Sequence, residues 1–209
     1  MSTAVKIFLG LSALWAAIAL AYQVGAARGG GRTDYGARAG SSLRGILFNF
    51  TRGMSPAHKE SVSQHPFKFA VGVVMHLGVI FALLAVLMLL VAPAVGEAAL
   101  GIGWPLLALS LVSGLYLFVR RPLSADLKAM SAPDDYLAIL VSCGLLAVSL
   151  LYALDRVSPA AFLIYAAVLF LYLPLGKLRH AVFFFVARSD LGRRLGYRGV
   201  YPPAAAGRG

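Results

Sequence analysis

Two of the four histidines in this 209-residue chain lie in apolar surroundings, where an imidazole costs free energy unless it has a partner. His76 is in the middle of "FKFAVGVVMHLGVIF", residues 67–81, and His180 is in "LGKLRHAVFFFVAR", residues 175–188. A histidine within a membrane span marks a functional site by default. For a single isolated one, a bond to a neighbouring helix's carbonyl is the plainer explanation. Here there are two, similarly placed. Lys68 marks a charged boundary eight residues before His76, and Arg188 marks one eight residues after His180. At the helical rise both rings then sit about 12 Å from the same boundary. Imidazoles at matched depth on different helices can take the two axial positions of one haem iron.

The neighbours of both histidines suit a flat macrocycle. Gly72 and Gly176 each stand four residues before a histidine. Helical side chains lean toward the amino end, so each glycine leaves room beneath the ring. Glycine is also simply frequent in membrane helices, and this chain has 22. Lys177 and Arg179 need a counter-charge if the segment stays immersed to Ala187, and haem propionates would supply one. The competing reading ends the span near Gly176 and lays "AVFFFVA" along the interface. Both cations then reach water and the depth match weakens.

His65 falls eleven residues before His76, close to three helical turns, at a rim with Lys59, Glu60 and Lys68. It reads either as a solvated interfacial histidine or as a quinone site. In the second case His65 bonds a quinone carbonyl and exchanges protons near neutral pH, while Lys68 steadies the reduced headgroup. His58, in the same polar loop, makes no second haem pair.

The elements that must position these residues are membrane helices. Sixty per cent of the residues are hydrophobic and 13% charged, and the mean hydropathy is +0.81. Soluble domains are about half apolar and about a quarter charged. Windows at 4–24, 67–92, 98–119, 136–154 and 160–176 approach the roughly 20 residues that a span requires. The first is too long and too weakly charged at its start for a cleaved signal, so it is retained. The expected architecture is an all-α integral membrane bundle of five transmembrane helices, one domain over 1–209.

Charge orients the bundle. Of 19 Lys and Arg residues, 17 fall on the side holding 25–66, 120–135 and everything after Gly176, counting Lys68 at the entrance of the second span. That side is cytoplasmic by the positive-inside rule, which puts the amino terminus outside and the carboxyl terminus inside. The net charge of +11 is therefore a topology signal, and no nucleic-acid partner is expected. The cytoplasmic loop 25–66 carries a short amphipathic helix whose Leu43, Ile46, Leu47 and Phe50 form an apolar stripe, with Arg44, Asn49 and Arg52 off it. The stripe suits the inner membrane surface or a soluble subunit. Residues 189–209 form a basic cytoplasmic tail. Asp134, Asp135 and Ser158 are expected caps, Trp104 and Tyr22 interfacial aromatics. Cys143, alone, can form no internal disulfide. No carboxylate pair lies inside a span, and no phosphate loop or Ser/His/Asp set is present.

Several motifs coincide: "HLG" in the second span, the histidine near the inner end of the fifth, "GMSPAHKESVSQHP" at 53–66 and "GKLRHAVFFFVARSDLGRRLGYRGVYPP" at 176–203. Together they resemble the nitrate reductase gamma subunit family of cytochromes b. The closer resemblance is to its branch in sulfate-reducer transmembrane complexes with heterodisulfide-reductase-like partners. It implies one haem b held by His76 and His180. Val86 and Phe162 stand where the family's second pair of ligands would be, so the outer haem is missing. It further implies a quinone, menaquinone or ubiquinone, as substrate and a cytoplasmic iron–sulfur subunit as electron partner. It leaves room for an extracytoplasmic cytochrome c, in a bacterial cytoplasmic membrane. Two other functions compete: a haem-free anchor or assembly subunit with interhelical histidine bonds, and a small transporter, disfavoured by the lack of intramembrane carboxylates.

Overall fold

The computed structural model describes residues 2–29, 36–55 and 64–203. All its regular elements are helical. They are α1 (Thr3–Gly29), α2 (Ser42–Phe50), α3 (Pro66–Val91), α4 (Pro93–Leu123), the short α5 (Ala125–Ala129), α6 (Pro133–Ala153), α7 (Pro159–Tyr172) and α8 (His180–Tyr197). Four of them, α1, α3, α4 and α6, are long and apolar enough to cross a membrane, and α7 makes a fifth when it is counted together with the helical segment after its break. The chain is thus an all-α, multi-pass membrane protein, and the bilayer is its solvent. His58, Lys59 and Glu60 lie outside the described residues.

Sequence chemistry accounts for the boundaries. Proline opens α3, α4, α6 and α7, where its missing N–H is no loss. Ala92 alone separates α3 from α4, since Pro93 cannot continue the preceding helix. Ser158 Oγ accepts the Ala161 N–H at 3.3 Å, and Asp135 Oδ2 accepts the Ala132 N–H at 2.9 Å, as expected of these caps.

The described chain forms two compact units, residues 1–19 with 67–178 and residues 20–66 with 179–209. In the first, small residues let backbones approach, as membrane helices require when lipid is as apolar as the core. A Cβ on Gly96 of α4 would stand 2.8 Å from the Leu89 nitrogen of α3, and one on Gly114 would stand 2.6 Å from Cys143 Sγ of α6. Ser110 Oγ donates to the Val74 carbonyl at 2.8 Å, joining α4 to α3. Trp15 Nε1 of α1 donates to the Leu171 carbonyl of α7 at 3.2 Å. Val86 and Phe162 are both buried in this core.

The second unit is an α2–α8 pair. Its α8 extends to Tyr197, so the segment expected as a plain tail from 189 begins as helix. Gly45 of α2 packs on Gly192 and Gly196 of α8, with a Cβ on Gly45 only 2.5 Å from the Gly196 Cα. Gly45 and Asn49 are the buried residues of α2, and Leu43 and Leu47 of the expected stripe are exposed.

Candidate functional site

Where the fifth span ends decides what the histidines can do. α7 has only 14 residues, about 21 Å of helix against a hydrocarbon core near 30 Å. A turn carrying Pro174 and Gly176 follows Tyr172. At one end Phe162 stacks on Tyr152, with ring centroids 5.7 Å apart. At the other, the Tyr172 hydroxyl bonds to Asp134, and the Lys177 backbone N–H donates to Asp134 Oδ2 at 2.8 Å. Lys177 Nζ donates to Asp135 Oδ2 at 2.5 Å. Both aspartates belong to the first turn of α6, so α7 runs antiparallel to α6 and Lys177 lies beside the start of that helix.

This geometry bears on the helix from which the depth of His180 was counted. Lys177 already stands at the polar end of α6, and His180 begins a new helix three residues later. The eight-residue count inward from Arg188 thus runs along α8 and not along α7. The break accords with the competing expectation of a span ending near Gly176.

Gly176 and Lys177 have contacts within the chain. A Cβ on Gly176 would stand 2.6 Å from Tyr172 Cε2, so the glycine makes room for the tyrosine ring. The counter-charge of Lys177 comes from within the chain, from Asp135, which also lies 3.6 Å from Arg121 Nη1. Arg121 further donates to Ser131 Oγ at 2.8 Å and lies over the Tyr136 ring. Arg179 and His180 are exposed. The sequence showed the aspartates as caps, but nothing in it joined them to a lysine 42 residues away. Asp135→Ala should lower stability by about 1–2 kcal/mol through loss of a cap and a partly exposed ion pair. Thermal unfolding in detergent would read this as a lower midpoint, and an unchanged midpoint would show that the cluster does not fasten the span.

His76 has a different setting. Its ring is exposed on α3, and Nδ1 lies 2.6 Å from the Gly72 carbonyl oxygen. A carbonyl only accepts, so Nδ1 carries the hydrogen. A backbone carbonyl holding one ring nitrogen is also how metal-ligating histidines are oriented. A Cβ on Gly72 would meet nothing within 4 Å, so the face beneath the ring is open. His65 is exposed immediately before α3, and Lys68 is half-buried in that helix's first turn.

In the second unit, Asn49 and Arg188 form a clasp that the sequence did not reveal. Asn49 Nδ2 donates to the Arg188 carbonyl at 2.7 Å, and Arg188 Nη1 donates to Asn49 O at 2.5 Å and Oδ1 at 2.9 Å. Arg188 is therefore a structural cation, lying also over the Phe184 ring at 5.3 Å. Among the described residues no group of three or more His, Cys, Asp or Glu gathers to hold a metal ion. The chain matches no protein-family model, no curated protein and no solved structure.

Proposed function

We propose that the chain is the haem b-bearing membrane subunit of a redox complex in a bacterial cytoplasmic membrane. In this reading it passes electrons between a membrane quinone and a cytoplasmic iron–sulfur protein. The supporting observation is His76: an imidazole on an apolar helix, its Nδ1 held by a carbonyl, above a face that glycine leaves open. Those residues fit one axial ligand of a haem. His180 is the only other histidine in an apolar run and is the proposed second ligand. A bound haem would supply the one-electron chemistry, and the chain would supply ligands and a low-dielectric surround. Val86 and Phe162, both buried and unable to ligate iron, limit the proposal to one haem. His65 and Lys68 are the proposed quinone-side residues, with His65 exchanging the protons.

A reduced-minus-oxidised absorption spectrum of the purified chain tests this. A b-type spectrum with one haem per chain is expected, and a ratio near two would reveal a missed pair of ligands. The haem-free anchor remains the second reading, favoured by the Lys177–Asp135 and Gly176–Tyr172 contacts, which satisfy those residues without any cofactor. A featureless spectrum from correctly inserted protein decides for it.

The orientation has its own test. With the amino terminus outside, a reporter fused after residue 95, between α3 and α4, should report an external location, and one at the carboxyl terminus a cytoplasmic one. A cytoplasmic signal from residue 95 would reverse the assignment.

A further inference from the structure

The second unit exposes an apolar face that its own packing does not use. α2 docks on α8 through Gly45 and Asn49, so Leu43 and Leu47 of its stripe are left exposed, while Ile46 and Phe50 are half-buried. Leu43 is 66% exposed and Leu47 56%. The stripe does not end with α2. Phe50 stacks on Phe185 with ring centroids 6.1 Å apart and meets Phe184 edge-on at 6.5 Å. Phe185 is itself 60% exposed. Apolar surface thus continues from one helix onto the other.

Charge identifies what covers it. The sequence of this unit holds twelve Lys and Arg against three Asp and Glu. No acidic residue lies in α2. Arg44 within α2 and Arg52 just beyond it are exposed, and Asp190 of α8 is paired with Arg193 and Arg194, each at 2.9 Å. An apolar stripe flanked by cations is the composition of a helix lying in an anionic lipid interface. The unit also shares chain with two spans, since α1 runs into it at Leu20 and α3 leaves it after Pro66. A bilayer surface is therefore within reach at all times, whereas a soluble partner must be recruited. We infer that this face seats in the headgroup region of an anionic leaflet, with Leu43, Leu47 and Phe185 entering the acyl boundary and Arg44 and Arg52 on lipid phosphates. The inference is independent of any haem.

The full chain in vesicles of phosphatidylcholine and phosphatidylglycerol provides the test. In a Cys143→Ser background, a nitroxide on Leu47→Cys reports depth by its collisions with oxygen and with a water-soluble nickel chelate. Leu43→Cys, one turn away, gives a second reading. Both labels should be shielded from nickel at a depth of about 5–10 Å. Adding Arg44→Gln and Arg52→Gln should shift the balance from seated to water-exposed label about thirtyfold, from about 1 kcal/mol per cation near an anionic surface. Labels open to nickel in these vesicles would overturn the inference, as would shielding that appears only on adding a soluble protein fraction. Shielding that persists unchanged in pure phosphatidylcholine and in the arginine variant would overturn the anionic-lipid assignment.

Discussion

A His76→Ala chain should insert and fold normally yet show no b-type spectrum. The ring is exposed, so its removal opens no core cavity. The bond it makes to Gly72 lies within its own helix, whose backbone ladder remains without it. Gly72→Leu sharpens the test. A side chain there meets nothing within 4 Å in the protein, and leucine stabilises a helix by roughly 0.8–1 kcal/mol relative to glycine. Without a cofactor this variant should be neutral or slightly more stable. With a haem over that face, the leucine occupies the macrocycle's place and the haem is lost, although both histidines remain. The two variants therefore separate a ligand-and-floor arrangement from a structural histidine. A spectrum that survives both changes would remove α3 from the site.

Membrane spans were legible because hydropathy is a sum over about 20 residues and tolerates local exceptions. The break in the fifth span was not, though its signals, Pro174 and Gly176, were in view. Proline lacks the N–H that continues a helix, but spans often absorb that loss, so one residue does not decide between kink and end. The end is set by Tyr172 and Lys177 reaching aspartates 38 and 43 residues away, which no local pattern contains. The depth count from Arg188 assumed one helix where the chain builds two.

The amphipathic helix shows a different limit. Its period was legible, and its apolar stripe is left exposed at Leu43 and Leu47, but the face that docks on α8 was not legible. Beside a bilayer, lipid satisfies apolar side chains as well as protein does. What selects the buried face is the ability of backbones to touch. That signal was present as Gly192 and Gly196, four apart in "GRRLG", and as Gly45 within α2.

Gly45→Ala should detach α2 from α8 while leaving the residue 67–178 core intact. The added carbon would stand 2.5 Å from the Gly196 Cα and 2.7 Å from its nitrogen. These are backbone atoms, so no rotamer change relieves the overlap and the helices must move apart. Overpacking costs about 1–3 kcal/mol, and separation also stretches the Asn49–Arg188 bonds that close the pair. A nine-residue helix is marginal without tertiary support. Hydrogen exchange should therefore quicken over 42–50 and over the facing turns of α8, with amides of α3, α4 and α6 unchanged. Gly192→Ala attacks the same contact from the other side, 2.7 Å from the Ile46 Cα. Because both changes break one interface, the double variant should cost less than the two single losses added together. Gly101→Ala, where nothing lies within 4 Å, should leave exchange in α2 unaffected and stabilise α4 by up to about 1 kcal/mol. Undiminished protection of α2 in Gly45→Ala would mean that the two helices are not in backbone contact.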